Sequence, residues 1–351
     1  MILVLNAGSS SLKAALFASD LTEQAAADVA EIGGAGSLRQ QGRVTAIAAS
    51  DHTTALQIIL AALAAQGHPV SAISAAAHRV VHGGTELTAP TVITPSVLAQ
   101  IAAAVPLAPL HNPANLAGIH AISALVPALP QTASFDTAFH ATNPAVATAY
   151  ALPQAERAKG LRRYGFHGLS YAGLVQAIRP LPRRLLALHL GNGASLCAIV
   201  DGQSVATSMG YSPLDGLVMG TRTGSIDGMA VLRLAQDHGI DGAAAILNRD
   251  SGLKALAGTN DMRAILGRDD AQALFALDHF CYWAVRQAGS AIAAMGGVDA
   301  IAFTGGIGEN AAGIRDRIVE GLRWAGHVPV HVIPADEERQ IARDGLALIK
   351  R

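Results

Sequence analysis

Two arginines lie in sequence contexts that predict binding of an anion. Arg79 lies in a predicted strand that runs into the double glycine 83–84, and Arg222 lies among threonines and glycines in the stretch 219–224. A guanidinium in such a place can bind a carboxylate or a phosphate through two hydrogen bonds. The alternatives are an internal salt bridge for Arg79 and a solvated loop side chain for Arg222.

An acid and a histidine are two further candidates for chemistry. Asp136 directly follows the predicted strand 132–135, and open α/β sheets bind their ligands at the carboxyl ends of strands. A role as N-cap of the following helix explains Asp136 equally well. His167 lies between Gly165 and Gly168 with no apolar stripe around it, so we expect it in an exposed loop, donating to a ligand.

A histidine pair raises the question of a metal. His78 and His82 are spaced like zinc ligands on a helix. Val80, Val81 and the glycines that follow instead predict a strand entering a turn, which would place the two rings differently. We therefore do not expect these histidines to bind a metal.

The first seventeen residues predict a β-hairpin whose tip suits a phosphate. Five apolar residues lead into a turn of small polar residues, and the second apolar run carries Lys13. Small residues let backbone N–H groups approach an anion, and serine hydroxyls can donate to it. An ordinary local turn is the alternative, because Asn, Gly and Ser form turns readily.

Residues 185–200 repeat this pattern of apolar run, small polar turn and apolar run. Two such hairpins about half the chain apart predict two similar domains, each presenting a phosphate loop to a shared cleft. The sequence contains no G-x-x-x-x-G-K-[ST], so a nucleotide would not be held by a Walker-type loop.

Three further segments have features of a nucleotide site. A strand at 300–304 runs into the glycine-rich turn 305–310, which we expect to open a helix from Ala312 and to suit a nucleotide. The stretch 207–223 predicts a long functional loop. The acids at 336–338 are either first-turn residues of the last helix or a contact to magnesium.

Helical patterns dominate two other regions. Residues 20–75 are alanine-rich and predict helices, most clearly at 55–66, with a glycine loop at 33–37. Residues 270–295 predict one long amphipathic helix. Its large apolar side chains are expected in the core: Phe275, Phe280, Trp283 and Ile292.

Bulk properties limit the possible classes. A chain of 351 residues predicts two domains with a cleft. Its net charge of −1 and 4% aromatic content argue against a nucleic-acid partner. The longest alanine and leucine run, 58–65, is too short to span a membrane. No basic segment precedes the first strand, and Cys197 and Cys281 do not suggest a disulfide framework; we expect a cytoplasmic protein.

Taken together, the motifs resemble the acetate kinase family over nearly the whole chain. No single motif is specific, but ten of them follow in the family's order. They lie at 6–13, 78–84, 110–113, 135–140, 164–168, 189–193, 219–224, 260–263, 304–310 and 334–338.

The resemblance implies an α/β fold of duplicated actin-like (ribonuclease H-like) domains with a nucleotide cleft between them. The N-terminal domain would comprise 1–135 plus 336–351, and the nucleotide-binding domain 136–335. The implied reaction is reversible: ATP and acetate give ADP and acetyl phosphate. Mg²⁺ or Mn²⁺ would be the cofactor, and a homodimer the assembly.

The resemblance also implies roles for particular residues. Asn6 and Glu337 would place the metal, and Asp136, His167, Arg222 and Arg79 would be catalytic. Arg79 would also bind the substrate, with an apolar pocket for its methyl group formed by Val81, Leu110, Phe166 and Pro213. The nucleotide would contact Lys13, His189, Leu190, Gly191, Asn192, Gly193, Asp261, Met262, Arg263, Gly306, Ile307, Gly308, Glu309 and Asn310.

The chemistry of this reaction bears on Asp136. A carboxylate nucleophile is already ionised near neutral pH, so no general base is needed. Positioning and positive charge around the transferred group are what the site must supply. We therefore expect Asp136 to orient Arg222 or to bind magnesium through water, although the family assignment makes it a proton donor or acceptor.

The chain departs from the family in length and at one motif. It is shorter between 20 and 75 and between 326 and 330, and the stretch 224–228 has Ser and Gly where an acid and a proline are common. Dimer contacts and domain closure are the properties these changes affect. A non-transferring ATPase and a sugar kinase are the competing hypotheses, and the sequence leaves acetate against propionate, the physiological direction and the nucleoside open.

Overall fold

The computed structural model describes residues 1–350, which form two compact units. The first consists of Met1–Phe139 and the C-terminal stretch from Asp336 onward, and the second of His140–Ala335. Among residues 1–350, no helix is both long enough and apolar enough to cross a bilayer.

A hairpin forms the middle of the sheet in the first unit. β1 (Ile2–Gly8) and β2 (Ser11–Phe17) pair antiparallel with Gly8 opposite Ser11, as the opening residues predict. The other strands are β3 (Glu23–Ala30), β4 (Ser37–Gln40), β5 (Arg43–Ala46), β6 (Ala75–Val80), β7 (Thr91–Val92) and β8 (Gln131–Phe135). The helices are α1 (His52–Ala65), α2 (Pro95–Ala103), α3 (Asn112–Leu125) and α13 (Glu337–Ile349). Both α3 and α13 pack on β1, which is why that strand is buried from Ile2 to Leu5.

The second unit repeats the hairpin with β9 (Arg184–Leu190) and β10 (Ala194–Val200). Its other strands are β11 (Gln203–Thr207), β12 (Ala300–Thr304) and β13 (Val330–Val332). Its helices are α4 (Ala145–Thr148), α5 (Gln154–Arg157), α6 (Gly168–Ala177), α7 (Gly228–Arg249), α8 (Gly252–Ala257), α9 (Met262–Leu266), α10 (Ala271–Met295), α11 (Gly305–Asn310) and α12 (Ala312–Gly321).

Both sheets contain the same five-stranded pattern. The first includes β3-β2-β1-β6-β8, and the second is β11-β10-β9-β12-β13. In each, the central strand pairs antiparallel with its hairpin partner and parallel with the strand on its other side, and the outer pairs also agree in direction. The repeat inferred from the two hairpins is therefore a repeat of fold, and the duplication predicted from the sequence is confirmed.

The prediction of helices throughout 20–75 is wrong for its first half. Residues 23–46 form β3, β4 and β5, and the helix begins only at His52, capped by Asp51. Along β3, Ala25, Ala27 and Val29 are buried while the residues between them are more exposed. Alanine fits either element, so pairing with the neighbouring β2 decided the outcome over local helix propensity.

Two predictions about the second unit also need correction. The glycine-rich segment 305–310 is itself helical, as α11, and is not a turn, whereas the helix predicted from Ala312 is present as α12. In α10, Phe280 and Ile292 are buried, but Phe275 is 58% exposed and Trp283 is only partly buried. Aromatic side chains in a helical pattern show that the helix has an apolar face. They do not show whether other residues of the same chain pack over that face.

Two buried histidines predict how stability depends on pH. Burial lowers the pKa of His78, at the end of β6, to about 4, and lowers that of His82 to about 4 as well. The ring Nδ1 of His82 accepts the backbone N–H of Gly84 at 2.9 Å, a bond that a protonated ring cannot accept. Both rings are therefore neutral in the folded protein at pH 7.

Because the unfolded chain protonates these histidines near pH 6.5, we expect the free energy of unfolding to fall as pH drops from about 6.5 toward 4, by a few kcal/mol per histidine. Urea denaturation at intervals from pH 4 to pH 7.5 measures this slope. His78→Gln should flatten it, and the same change at His120, exposed on α3, should not. An equal slope in all three proteins would disprove the assignment.

Candidate active site

Arg79 and Asp136 form a bidentate ion pair in the first unit. Arg79 Nη2 lies 2.6 Å from Asp136 Oδ2, and Nε lies 3.0 Å from Oδ1. The pair arises from the sheet: β6 and β8 are parallel neighbours, with Arg79 opposite Ser134, so the acid just after β8 meets the arginine near the end of β6. Asp136 therefore holds Arg79 directly; the expectations that it orients Arg222 or binds magnesium through water stay predictions.

Further polar groups surround this pair. Arg79 Nη1 lies 3.4 Å from Asn6 Oδ1, and Lys13 stands opposite Asn6 in the hairpin. Burial raises the pKa of Glu337, at the start of α13; Asp136 adds to the shift, and Arg79 and Lys13 oppose it. For Arg79, burial lowers the pKa, but the charge and hydrogen bonds of Asp136 together with the charges of Glu337 and Glu338 outweigh burial, and the net shift is upward. The guanidinium is fixed in place and charged.

His167 occupies a constrained position in the second unit. It precedes α6 with a left-handed backbone (φ 58°), a region in which histidine is among the tolerated residues. Its Nδ1 lies 2.8 Å from Ser195 Oγ, and its ring stacks on that of His189 at a centroid distance of 4.2 Å. Two residues before His167, Gly165 has a positive φ of 80°, and a Cβ there would lie 2.6 Å from the His140 ring.

The tip of the β9–β10 hairpin lies beside His167. A Cβ added to Gly193 would lie 3.2 Å from His167 Nε2 and 3.7 Å from Arg222 Nη1, so all three groups border one small space. At the same tip, Asn192 Oδ1 accepts a hydrogen bond from Asn260 Nδ2 at 2.9 Å. The predicted phosphate loop thus lies against both a histidine and an arginine.

Arg222 carries a charge that no acid neutralises. Its Nη1 donates to the Pro213 carbonyl at 2.9 Å and contacts Met219 Sδ at 3.5 Å. Within residues 1–350, no carboxylate lies at ion-pair distance from this guanidinium. Burial lowers the pKa of Arg222, yet a guanidinium stays protonated in proteins. The position suits an anionic ligand.

A pocket of about 590 Å³ lies next to this group, wholly within the second unit. This volume is in the range of nucleotide and cofactor sites. Eight of the predicted nucleotide contacts line it: Gly191, Asn192, Asp261, Met262, Arg263, Gly306, Ile307 and Asn310. Asn260, Leu266 and Ala311 also line it and were not predicted individually, although Asn260 belongs to a recognised motif.

The remaining predicted residues do not line the pocket. Leu190 is fully buried in β9, Glu309 accepts the backbone N–H of Ala335, and Lys13 belongs to the first unit. Among the predicted methyl-pocket residues, Val81 is buried and Leu110 is 57% exposed in the first unit. Phe166 is buried in the second unit, where Pro213 holds Arg222 through its carbonyl.

Asn192 offers a selective test of the pocket. Replacing it with alanine removes the hairpin's side-chain bond to Asn260, so we expect the KM for a nucleotide substrate to rise about tenfold with the KM of the second substrate unchanged. Steady-state kinetics with each substrate varied separately measures the two values. Asn248→Ala, whose amide bonds only to the Ala244 carbonyl, is the matched control. A nucleotide KM unchanged by Asn192→Ala would exclude Asn192 from the nucleotide site.

Solved structures with the same fold establish the class of protein. The chain superposes on an acetate kinase from Porphyromonas gingivalis with a TM-score of 0.93, 34% identity and 99% coverage of both chains. A propionate kinase from Francisella tularensis gives 0.92 with 35% identity and 98% coverage of both. Together with the nucleotide-sized pocket, these matches define a kinase of the duplicated actin-like fold.

The chain belongs to the acetokinase family, whose model matches residues 1–345. An acetate kinase from Methylocella silvestris is 41% identical over 395 aligned residues, which cover 99% of this chain and 98% of that protein. Because this chain has 351 residues, the alignment must include at least 44 positions at which the relative has a residue and this chain has none.

Proposed function

We propose that this protein transfers the γ-phosphoryl group of ATP reversibly to acetate, giving acetyl phosphate and ADP. The placement of Arg222 is the observation that supports this most directly. A partly buried guanidinium without a carboxylate partner borders the same space as His167 Nε2 and the hairpin tip 191–193. That tip also lines the nucleotide-sized pocket.

The roles follow from charge. Acetate attacks as a carboxylate, so the protein supplies positioning and positive charge, not a base. We assign the acceptor carboxylate to Arg79, whose guanidinium Asp136 holds in one orientation. We assign the phosphoryl group in flight to Arg222 and His167, whose donors would stabilise charge as it develops. Asp136 acts through Arg79 in this scheme and takes no proton.

Magnesium fits the residues of the first unit. Glu337 is a half-buried carboxylate of raised pKa close to a second acid, Asp136, and a divalent cation would relieve that repulsion. Carboxylate and amide oxygens are the ligands that Mg²⁺ prefers, along with water and substrate phosphates. Glu337 and Asn6 would hold the ion, which when bound neutralises phosphate charge. Within residues 1–350, no group of three or more His, Cys, Asp or Glu side chains forms a protein-only metal cage.

Propionate is the alternative acceptor. The chain resembles the Francisella propionate kinase as closely as the Porphyromonas acetate kinase, and one methylene in an apolar pocket is worth about 1–3 kcal/mol. A hydroxamate assay of acyl phosphate with acetate, propionate and butyrate decides between them. We expect the highest kcat/KM with acetate. A higher value with propionate would reassign the acceptor, and ATP hydrolysis without any hydroxamate would indicate a non-transferring ATPase.

A homodimer in the cytoplasm completes the proposal. On α7 the side chains of Met229, Leu232 and Ile240 are 71%, 55% and 82% exposed. On α10 those of Phe275 and Tyr282 are 58% and 64% exposed; a second copy of the chain would cover such surfaces. Both cysteines are free and buried, which supports a reducing compartment. Sedimentation velocity should give a single species at twice the chain mass of 35.9 kDa.

A further inference from the structure

Two buried hydroxyl groups in series form a hydrogen-bonded chain that ends at the Nδ1 of His167. Ser195 on β10 and Tyr171 on α6 are fully buried. Ser195 Oγ lies 2.8 Å from His167 Nδ1 and 2.5 Å from Tyr171 Oη. Neither hydroxyl belongs to the nucleotide pocket or to the groups assigned to acetate. Their contact with a proposed catalytic ring therefore calls for an explanation.

The chemistry of the three groups sets the direction of the hydrogen bonds. A phenol is a stronger acid than an aliphatic alcohol, so the Tyr171 hydroxyl donates to Ser195. The backbone N–H of His189 donates to the Tyr171 oxygen, and burial raises the pKa of Tyr171 well above its ordinary value. Tyr171 therefore keeps its proton and directs it toward Ser195.

Ser195 has a single proton left to donate. The Ser195 oxygen accepts the hydrogen bond from Tyr171. The Ser195 hydroxyl therefore donates its proton to His167 Nδ1. A neutral imidazole that accepts at Nδ1 carries its proton on Nε2. Nε2 is the atom that faces the space beside Gly193 and Arg222. The opposite tautomer would present a lone pair there, which repels an anion.

We propose that Ser195 and Tyr171 are positioning residues that hold His167 in the neutral Nε2–H tautomer, so that it donates a hydrogen bond to the transferred phosphoryl group. The structural part concerns the free protein, and only its catalytic consequence rests on the proposed function. In this role Ser195 contacts His167 at Nδ1 and Tyr171 contacts Ser195, so both hydroxyls act through the ring and not on the phosphoryl group itself.

The test is the nitrogen spectrum of the wild-type protein labelled with ¹⁵N-histidine, recorded near pH 7.5. His167→Gln identifies the His167 signals among those of the 13 histidines. We expect Nδ1 of His167 at the shift of an unprotonated ring nitrogen and Nε2 at that of a protonated one. A proton on Nδ1 would overturn the proposal without any further variant.

Variants then link the tautomer to turnover. Ser195→Ala should give a mixture of tautomers at His167 and a 10- to 100-fold lower kcat, with both KM values within about twofold; Ser195→Thr, which keeps a hydroxyl, should restore both. Ser170→Ala removes the matched hydroxyl from His189 Nδ1, a bond of 2.9 Å, and should leave the His167 signals unchanged. A single Nε2–H tautomer in Ser195→Ala would refute the role of Ser195.

Two other outcomes are distinguishable. If Ser195→Ala does not fold, Tyr171→Phe removes one oxygen and should also produce the second tautomer; a pure Nε2–H ring in that variant would refute the role of Tyr171. If the wild-type spectrum is as expected but no acyl phosphate forms, the proposed function fails and the tautomer assignment stands.

Discussion

Replacing Arg222 with alanine is expected to lower kcat/KM for acetyl phosphate formation by about 10³-fold, close to 4 kcal/mol of transition-state stabilisation. The reason is the unpaired charge. Arg222 donates only to a carbonyl and a thioether, so its guanidinium remains available to the phosphoryl group. Most of the loss should lie in kcat, because charge develops on that group during transfer.

The fold should survive this change. Removing Arg222 leaves no buried acid without a partner, in contrast to the loss of an ion-paired arginine. Circular dichroism and the urea midpoint should therefore match the wild-type protein. Arg233→Ala, on the exposed surface of α7 and paired with Asp237, is the matched control and should retain full activity. Wild-type turnover in Arg222→Ala would remove this residue from the mechanism.

The second large effect is expected at the Arg79–Asp136 pair. Arg79→Ala should reduce kcat/KM for acetate by about 10²- to 10³-fold with the ATP KM little changed, since the guanidinium is assigned to the acceptor carboxylate. Asp136→Ala should cause a comparable loss, because it releases the guanidinium from a bidentate hold of 2.6 and 3.0 Å. Each single change should also cost about 3–5 kcal/mol of stability, the penalty for an unpaired buried charge.

A double-mutant cycle separates the two possible roles of Asp136. If Asp136 acts only by holding Arg79, Asp136→Ala costs no further activity once Arg79 is already alanine, and the double variant is more stable than the singles predict. If Asp136 exchanges a proton, the activity losses add. Arg184→Ala serves as the control, because Arg184 forms a similar pair with Asp299 at 2.6 Å in the second unit and has no assigned role. Additive losses would contradict the holding role.

Much of the fold and of the site could be predicted from the sequence alone, because the local patterns there are strong. The two hairpins, the strand before Asp136 and the helix before Gly67 have apolar periodicity and turn residues that agree with their final structure. Eight pocket residues were identified because their motifs resemble a known family in order and identity. The strands at 23–46 were missed because alanine has no decisive preference and their partner, β2, lies outside any local window.

Side-chain partners were the least predictable part of the site. The choice of Arg79 for Asp136 depends on which strands are neighbours in the sheet, a property of topology and not of spacing along the chain. The same holds for Ser195 and Tyr171, which meet His167 only after β10 and α6 have packed. Nothing in their local sequence distinguishes that serine or tyrosine from an ordinary core residue.

Phosphorus NMR of the purified protein with ATP, magnesium and acetate tests the central claim most directly. We predict that an acetyl phosphate signal grows in step with ADP, and that added acetyl phosphate and ADP regenerate ATP. Release of inorganic phosphate alone, or an unchanged ATP spectrum with acetate present, would contradict phosphoryl transfer to a carboxylate.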